Sequence, residues 1–197
     1  VSSNYTVSSN IDFSTPIRAL GIIFSATFQE SWSRGINIFN AAENIQNVFS
    51  HTIDINFGNR RKQNWDIRTG GSINVNDSNF SISGSNNNVF FNTTYYTDFR
   101  YTPNDQWSFD TGANVVNFNS KNFTESVSIP LINATIDYNF LEGNKAGFTL
   151  YIHDLLNKYS GFERISGANF LMERDRNNIG RYVMLAFNLR KGGRIGR

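Results

Sequence analysis

Chemistry in this chain would have to come from carboxylates, guanidinium groups, hydroxyls and two imidazoles, because it contains no cysteine. That removes disulfide scaffolds, thiolate zinc sites and thiol nucleophiles together. The densest ionisable cluster is Glu163-Arg164 with Glu173-Arg174-Asp175-Arg176. It is a candidate for contact with a ligand or partner from an external loop, and a solvated loop with self-paired charges is the plainer reading. Asn74, Asn76, Asp77 and Asn79 crowd oxygen donors together, but one carboxylate with no closing Glu is too little charge for a calcium loop. His51 and His153, the only histidines, are far apart and expected on opposite faces, so neither a metal site nor a general base is built from them. His153 and Asp154 are adjacent, which on a strand turns their side chains to opposite faces. No serine-centred elbow, phosphate-binding glycine loop or paired catalytic carboxylate pattern occurs. The expectation is a non-enzyme without catalytic residues, metal or cofactor.

The elements that carry these residues follow from composition and period. Of 197 residues, 39% are hydrophobic and 17% charged, yet 15% are aromatic, with 18 Phe, 8 Tyr and 3 Trp. Asparagine is the main polar residue, 29 in all. This excludes coiled coil, collagen and charge-rich disorder, and a net charge of +2 makes no case for nucleic acid. No apolar run reaches the roughly 20 residues of a membrane-spanning helix.

Alternation of apolar and polar residues dominates instead, the signature of strands with two unlike faces. Ile45, Phe49, Ile53, Ile55 and Phe57 fall on one parity, with Gln46, Ser50, Thr52, Asp54 and Asn56 on the other. The same pattern holds over Trp65–Val75, Val89–Tyr101, Trp107–Val115 and Ile132–Phe140, and more weakly over Tyr5–Phe13, Ile17–Asn37, Ala146–Asn157 and Arg181–Arg190. About nine strands and no helix are predicted. Short turns are expected near Ser14-Thr15-Pro16, 58–63, 102–105 and 141–145. Longer or more polar connections are expected near 40–44, 76–88, 117–125 and 158–180. Arg18 shares the parity of Leu20, and His51 that of the apolar face. At Pro130 the apolar parity switches, which predicts a bulge.

A soluble sandwich also alternates, but three features favour an antiparallel up-and-down transmembrane β-barrel. All five lysines (Lys62, Lys121, Lys145, Lys158, Lys191) fall outside the predicted strands, whereas a water-facing sheet spends lysine on its outer face. Aromatics gather beside the short turns, with Phe13, Phe57, Trp65, Tyr101, Trp107, Phe140 and Phe148 forming a candidate interfacial girdle. The apolar faces run for roughly nine to eleven residues, the length of a tilted outer-membrane strand. Asp54, Asp66, Arg68, Asp98, Arg100, Asp110 and Asp137 then face the lumen, pairing across strands or touching a plug.

Asp154-Leu155-Leu156-Asn157-Lys158 resembles the element before the last loop of TonB-dependent receptors. Gly180-Arg181-Tyr182-Val183-Met184-Leu185-Ala186-Phe187-Asn188-Leu189 resembles the last strand of their Bacteroidota outer-membrane β-barrel family. The resemblance is sharpest over residues 106–193. It implies the C-terminal part of a barrel of about 22 strands in the bacterial outer membrane, with residues 1–190 as barrel segment and 191–197 as a basic periplasmic tail. The odd strand count agrees with an incomplete barrel. By the same resemblance the whole protein imports a scarce nutrient of siderophore, glycan or peptide class. Its partners would be outer-membrane lipid, its own N-terminal plug, the remaining strands and TonB, with room for a surface lipoprotein for which no residue here speaks. One departure is that Leu189 precedes a basic tail where many barrels end on an aromatic. A complete small barrel acting as pore or surface-structural protein is the alternative, and a secreted β-sandwich binding module the third reading.

Overall fold

The computed structural model describes residues 4–59, 64–82, 87–121, 125–141, 145–167 and 170–189, with side chains throughout except at Phe39 and 163–171. The chain is all-β, and no helix occurs among the described residues. Nine strands make one antiparallel sheet: β1 (Tyr5–Ile17), β2 (Ile22–Phe39), β3 (Ala42–Asn59), β4 (Trp65–Phe80), β5 (Asn88–Tyr101), β6 (Trp107–Ser120), β7 (Val127–Phe140), β8 (Ala146–His153) and β11 (Tyr182–Leu189). Each pairs with the strand before it, except that β11 pairs with β8 across an inserted hairpin of β9 (Glu163–Gly167) and β10 (Phe170–Arg174). β1 and β11 form the two edges and do not pair with each other.

Several sequence expectations need correcting. Ser14, Thr15 and Pro16 continue β1, and the turn lies at 18–21 with Gly21 at positive φ. Pro16 is tolerated there because it sits one residue from the end of β1, where little of the ladder is forfeited. Arg18 and Leu20 therefore sit in the turn, and their shared strand parity has no meaning. The β2–β3 connection is not long: Asn40 and Ala41, both at positive φ, make a two-residue hairpin. The penultimate strand ends at His153 rather than Asn157, and the expected loop over 158–180 contains β9 and β10. No bulge occurs at Pro130. Val115 pairs with Pro130, Val116 with Ile129 and Asn114 with Leu131 in unbroken register. β8 pairs only with Ala134–Phe140 of β7, so at Pro130 a single ladder asks for a hydrogen bond. Of the lysines, Lys121, Lys145 and Lys158 lie outside the strands, while Lys62 and the 190–197 tail are not among the described residues.

Exposure runs opposite to that of a soluble sheet. On β3, Phe49, Ile53, Ile55 and Phe57 are exposed, whereas Ser50, Thr52, Asp54 and Asn56 are half-buried. Among the described residues the only buried hydrophobic side chains are Phe80, Phe90, Ile129 and Ala146. The first three lie on the polar face, by register with Gln46, Asn76 and Val116. A sheet curled toward its polar face produces this contrast, crowding the short polar groups and splaying the rings. A row of directly paired residues runs Thr15, Phe24, Phe57, Thr69, Thr97, Ala113, Ile132. It starts two residues from the short-turn end of β1 and finishes eight from that of β7. At about 3.4 Å per residue and about 4.8 Å between strands, this slip tilts the strands by about 35°.

Amides finish the strand ends. Asn59 donates through Nδ2 to the Trp65 carbonyl at 3.0 Å and accepts the Ile67 N–H on Oδ1 at 3.0 Å, standing in for a backbone unit. Asn104 Oδ1 accepts the N–H groups of Gln106 and Trp107, at 2.9 and 3.0 Å. Curvature needs Gly70: a Cβ there would lie 2.5 Å from the Ile55 carbonyl oxygen and 2.6 Å from Asn56 Cβ. Gly70→Ala is expected to pry β3 from β4 and cost about 2 kcal/mol or more. A lowered melting temperature of the folded protein checks this, and an unchanged one would show that the strands do not approach so closely.

Candidate functional site on the polar face

All seven predicted lumen charges share the polar face, drawn together by register at its short-turn half. Arg68 donates from Nη2 and Nε to Asp98 Oδ2 at 2.9 and 3.3 Å, with its guanidinium carbon 5.5 Å from the Tyr96 ring centroid. Tyr96 OH donates to both oxygens of Asp54, at 3.0 and 3.1 Å. Arg100 pairs through Nε with Asp110, which also accepts from Ser108 Oγ at 3.1 Å. Asp66 stands directly opposite Arg100, and Asp137 accepts Thr149 Oγ1 at 2.5 Å. Asp66, Arg68, Asp98, Arg100 and Asp110 line an open trough of about 450 Å³. Three acids against two arginines leave it slightly acidic. The Arg68–Asp98 pair is more than half exposed, so it is worth only about 0–1 kcal/mol. It orders the trough without holding the sheet.

The far half of the same face is different. Val116, Phe118, Ile129 and Leu131 make an apolar patch there, which the reading of Pro130 as a bulge had concealed. The connection from β8 to β11 folds over it, with the Phe162 ring 5.5 Å from that of Phe118. Tyr159, Phe162 and Arg176 line with the patch an open cleft of about 480 Å³. Asp154 anchors this cover. It is fully buried at φ 49°, its N–H donates to Asn133 Oδ1 at 3.1 Å, and its carboxylate accepts the N–H groups of Lys158 and Tyr159 at 3.1 and 3.0 Å. Asn157, at φ 53°, accepts the Arg181 N–H at 3.1 Å and closes the base. Asp and Asn are the side-chain-bearing residues that best tolerate this left-handed backbone.

The loop charges lie on the inserted hairpin and just after it. Register sets Glu163 opposite Arg174 and Arg164 opposite Glu173; Asp175 and Arg176 follow β10. His51 and His153 stand on opposite faces. His153 lies against the Tyr182 ring at 4.9 Å, and His51 Nδ1 lies 3.1 Å from Glu30 Oε1. Glu30 explains the histidine on the apolar face, but only strand register reveals it. Among the described residues no three of His, Asp and Glu converge as a metal site would require.

On the apolar face, Phe13, Phe57, Trp65, Tyr101, Trp107, Phe140 and Phe148 all lie within four residues of a short-turn end. Ring contacts link Phe13 to Phe24 at 6.2 Å and Phe24 to Phe57 at 5.3 Å. A second run joins Trp107, Tyr138, Phe140, Phe148 and Phe187 at 4.5–5.9 Å. Phe24, Phe109, Tyr138 and Phe187 belong to this row and were missed, although they share its parity near the turns.

Compared with known proteins, the chain matches no family model, no curated sequence and no solved structure. The geometry predicts that Asp154→Ala, which strips two backbone N–H groups of their acceptor, frees the cover while leaving the sheet folded. Tryptic cleavage after Lys158 and Arg176 should accelerate about tenfold or more. An unchanged rate would mean that Asp154 does not hold the loop.

Proposed function

We propose that this chain is wall and loop of a bacterial outer-membrane β-barrel, the C-terminal part of a TonB-dependent receptor that imports a scarce nutrient. The exposed apolar face is the observation that carries the membrane part. Left in water, each such side chain forfeits about 1.5–3 kcal/mol. Summed over Val7, Ile11, Phe13, Ile53, Leu185 and their neighbours, that exceeds the whole net stability of a domain, about 5–15 kcal/mol. Hydrocarbon around the sheet removes the deficit. On β2 the apolar run from Ile22 to Phe28 meets Glu30, and on β3 that from Phe57 to Ile53 meets His51. Both polar residues lie eight positions from the short-turn end, about 22 Å along the normal at the tilt found above, near the roughly 25 Å band of outer-membrane barrels.

Two unpaired edges support a larger barrel. Closing nine strands on themselves would set β1 parallel to β11, so additional strands complete an antiparallel wall. The receptor class rests on the resemblance of 154–158 and 180–189, to which the structure adds a working part: Asp154 and Asn157 pin a long loop that folds inward over the polar face. Import through a plugged barrel predicts that the full gene product is electrically silent in planar bilayers and captured by the periplasmic domain of TonB. Stepwise conductance without capture would support the open-pore alternative instead.

Depth makes a sharper test of the wall. Ile55 lies about 11 Å above the turn end, mid-height in the band, and Ser72 lies on the polar face, next to Asp54. In lipid vesicles Ile55→Lys is expected to cost about 2–4 kcal/mol, and Ser72→Lys within about 0.5. Equal, small effects would fit a sheet whose two faces both meet water.

A further inference from the structure

Above the apolar band the same outer face of β1–β3 carries a second aromatic row. Trp32 stacks on Phe49 at 5.8 Å and 6°, and Tyr5 meets the Trp32 edge at 5.1 Å. Phe49 and Phe57 are eight residues apart on one strand, so this row stands about 22 Å from the short-turn girdle. Arg34 follows two residues after Trp32, directly opposite Tyr5 on β1 and Asn47 on β3. It therefore points outward at headgroup height. No carboxylate among the described residues is within ion-pair distance of Arg34: the nearby acid Glu30 is engaged by His51, and Asp77 accepts from Asn79 at 2.9 Å. The Trp32 indole N–H and the Arg34 Nε–H are both covered by protein and find no acceptor among the described residues. Two such donors side by side cost about 1–3 kcal/mol each if nothing meets them, and a cation at the hydrocarbon edge wants an anion.

We propose that Trp32 and Arg34, flanked by Tyr5 and Asn47, form a docking site for the anionic phosphate headgroup of a lipid in the leaflet on the long-loop side. With a shift of the Arg34 side chain that uncovers both donors, the guanidinium fork matches a phosphate, the indole N–H reaches a second oxygen, and the stacked rings of Trp32 and Phe49 receive the first methylenes of the chains. The proposal rests on the membrane reading above.

The test uses the full gene product in detergent, offered phosphatidylglycerol and phosphatidylcholine in equal amounts, with retained lipid counted by native mass spectrometry. Wild type is expected to retain phosphatidylglycerol preferentially. Arg34→Gln should reduce that retention about fivefold, the effect of one cation at a membrane surface. Arg34→Lys should restore part of it, and Trp32→Phe, which keeps the ring, should also weaken it. Circular dichroism checks that each variant is folded. Equal retention by wild type and Arg34→Gln would overturn the site, as would displacement of the lipid by inorganic phosphate, which would reveal a soluble-anion site. A protein that needs no detergent defeats the membrane reading itself. One that needs detergent but ignores Arg34 defeats only this inference.

Discussion

Everything in this fold follows from a polarity placed the wrong way round for water. Strand ladders satisfy the backbone whatever the solvent, so the sheet is free to choose which face it shields. Here it shields Ser50, Thr52, Asp54 and Asn56 and leaves Phe49, Ile53, Ile55 and Phe57 outside. Such a surface is stable where its surroundings are as apolar as it is. The same constraint accounts for the missing core, since a wall one sheet thick has no interior to fill.

Curvature is the second requirement. Gly70 lets the backbone of β3 come within a distance no side chain would permit, and the slip of six residues between β1 and β7 sets the tilt. The composition then makes sense. Asparagine offers donor and acceptor on a short stem, which suits crowded places: Asn59 and Asn104 at the strand ends and Asn133 on the concave face all complete backbone hydrogen bonds. Lysine, which has no acceptor, could not take the backbone N–H groups that Asn59, Asn104 and Asn133 accept. The few charges that remain are tied to each other or to hydroxyls, as in Arg68–Asp98 and Asp54–Tyr96.

Period two was readable from residue types because the two faces differ in polarity along whole strands, so the main strands and the seven charges sharing one face followed directly. Turn positions were less legible. Ser14-Thr15-Pro16 has turn chemistry, yet the end of a strand tolerates both proline and hydroxyls; Asn40-Ala41 hides a tight hairpin because alanine rarely takes positive φ. The parity switch at Pro130 was real but was assigned to backbone geometry. Its cause is a change of environment, an apolar patch on the polar face covered by the ring of Phe162. Nothing local in the sequence announces that cover. The partners of His51 and Asp154 were illegible for another reason: Glu30 and Asn133 are each twenty-one residues away in the chain, and only strand register and the return of the chain beside β7 bring them close.

The most direct measurement is a nitroxide scan of positions 53–57 in the full gene product reconstituted in lipid vesicles, reading collisions with oxygen and with a water-soluble paramagnetic reagent. Labels at Ile53, Ile55 and Phe57 are expected to meet oxygen dissolved in hydrocarbon. Those at Asp54 and Asn56 should meet the aqueous reagent, so that the two accessibilities alternate out of phase. Equal aqueous accessibility at odd and even positions, or odd positions shielded from both reagents, would contradict a wall with its apolar side in lipid.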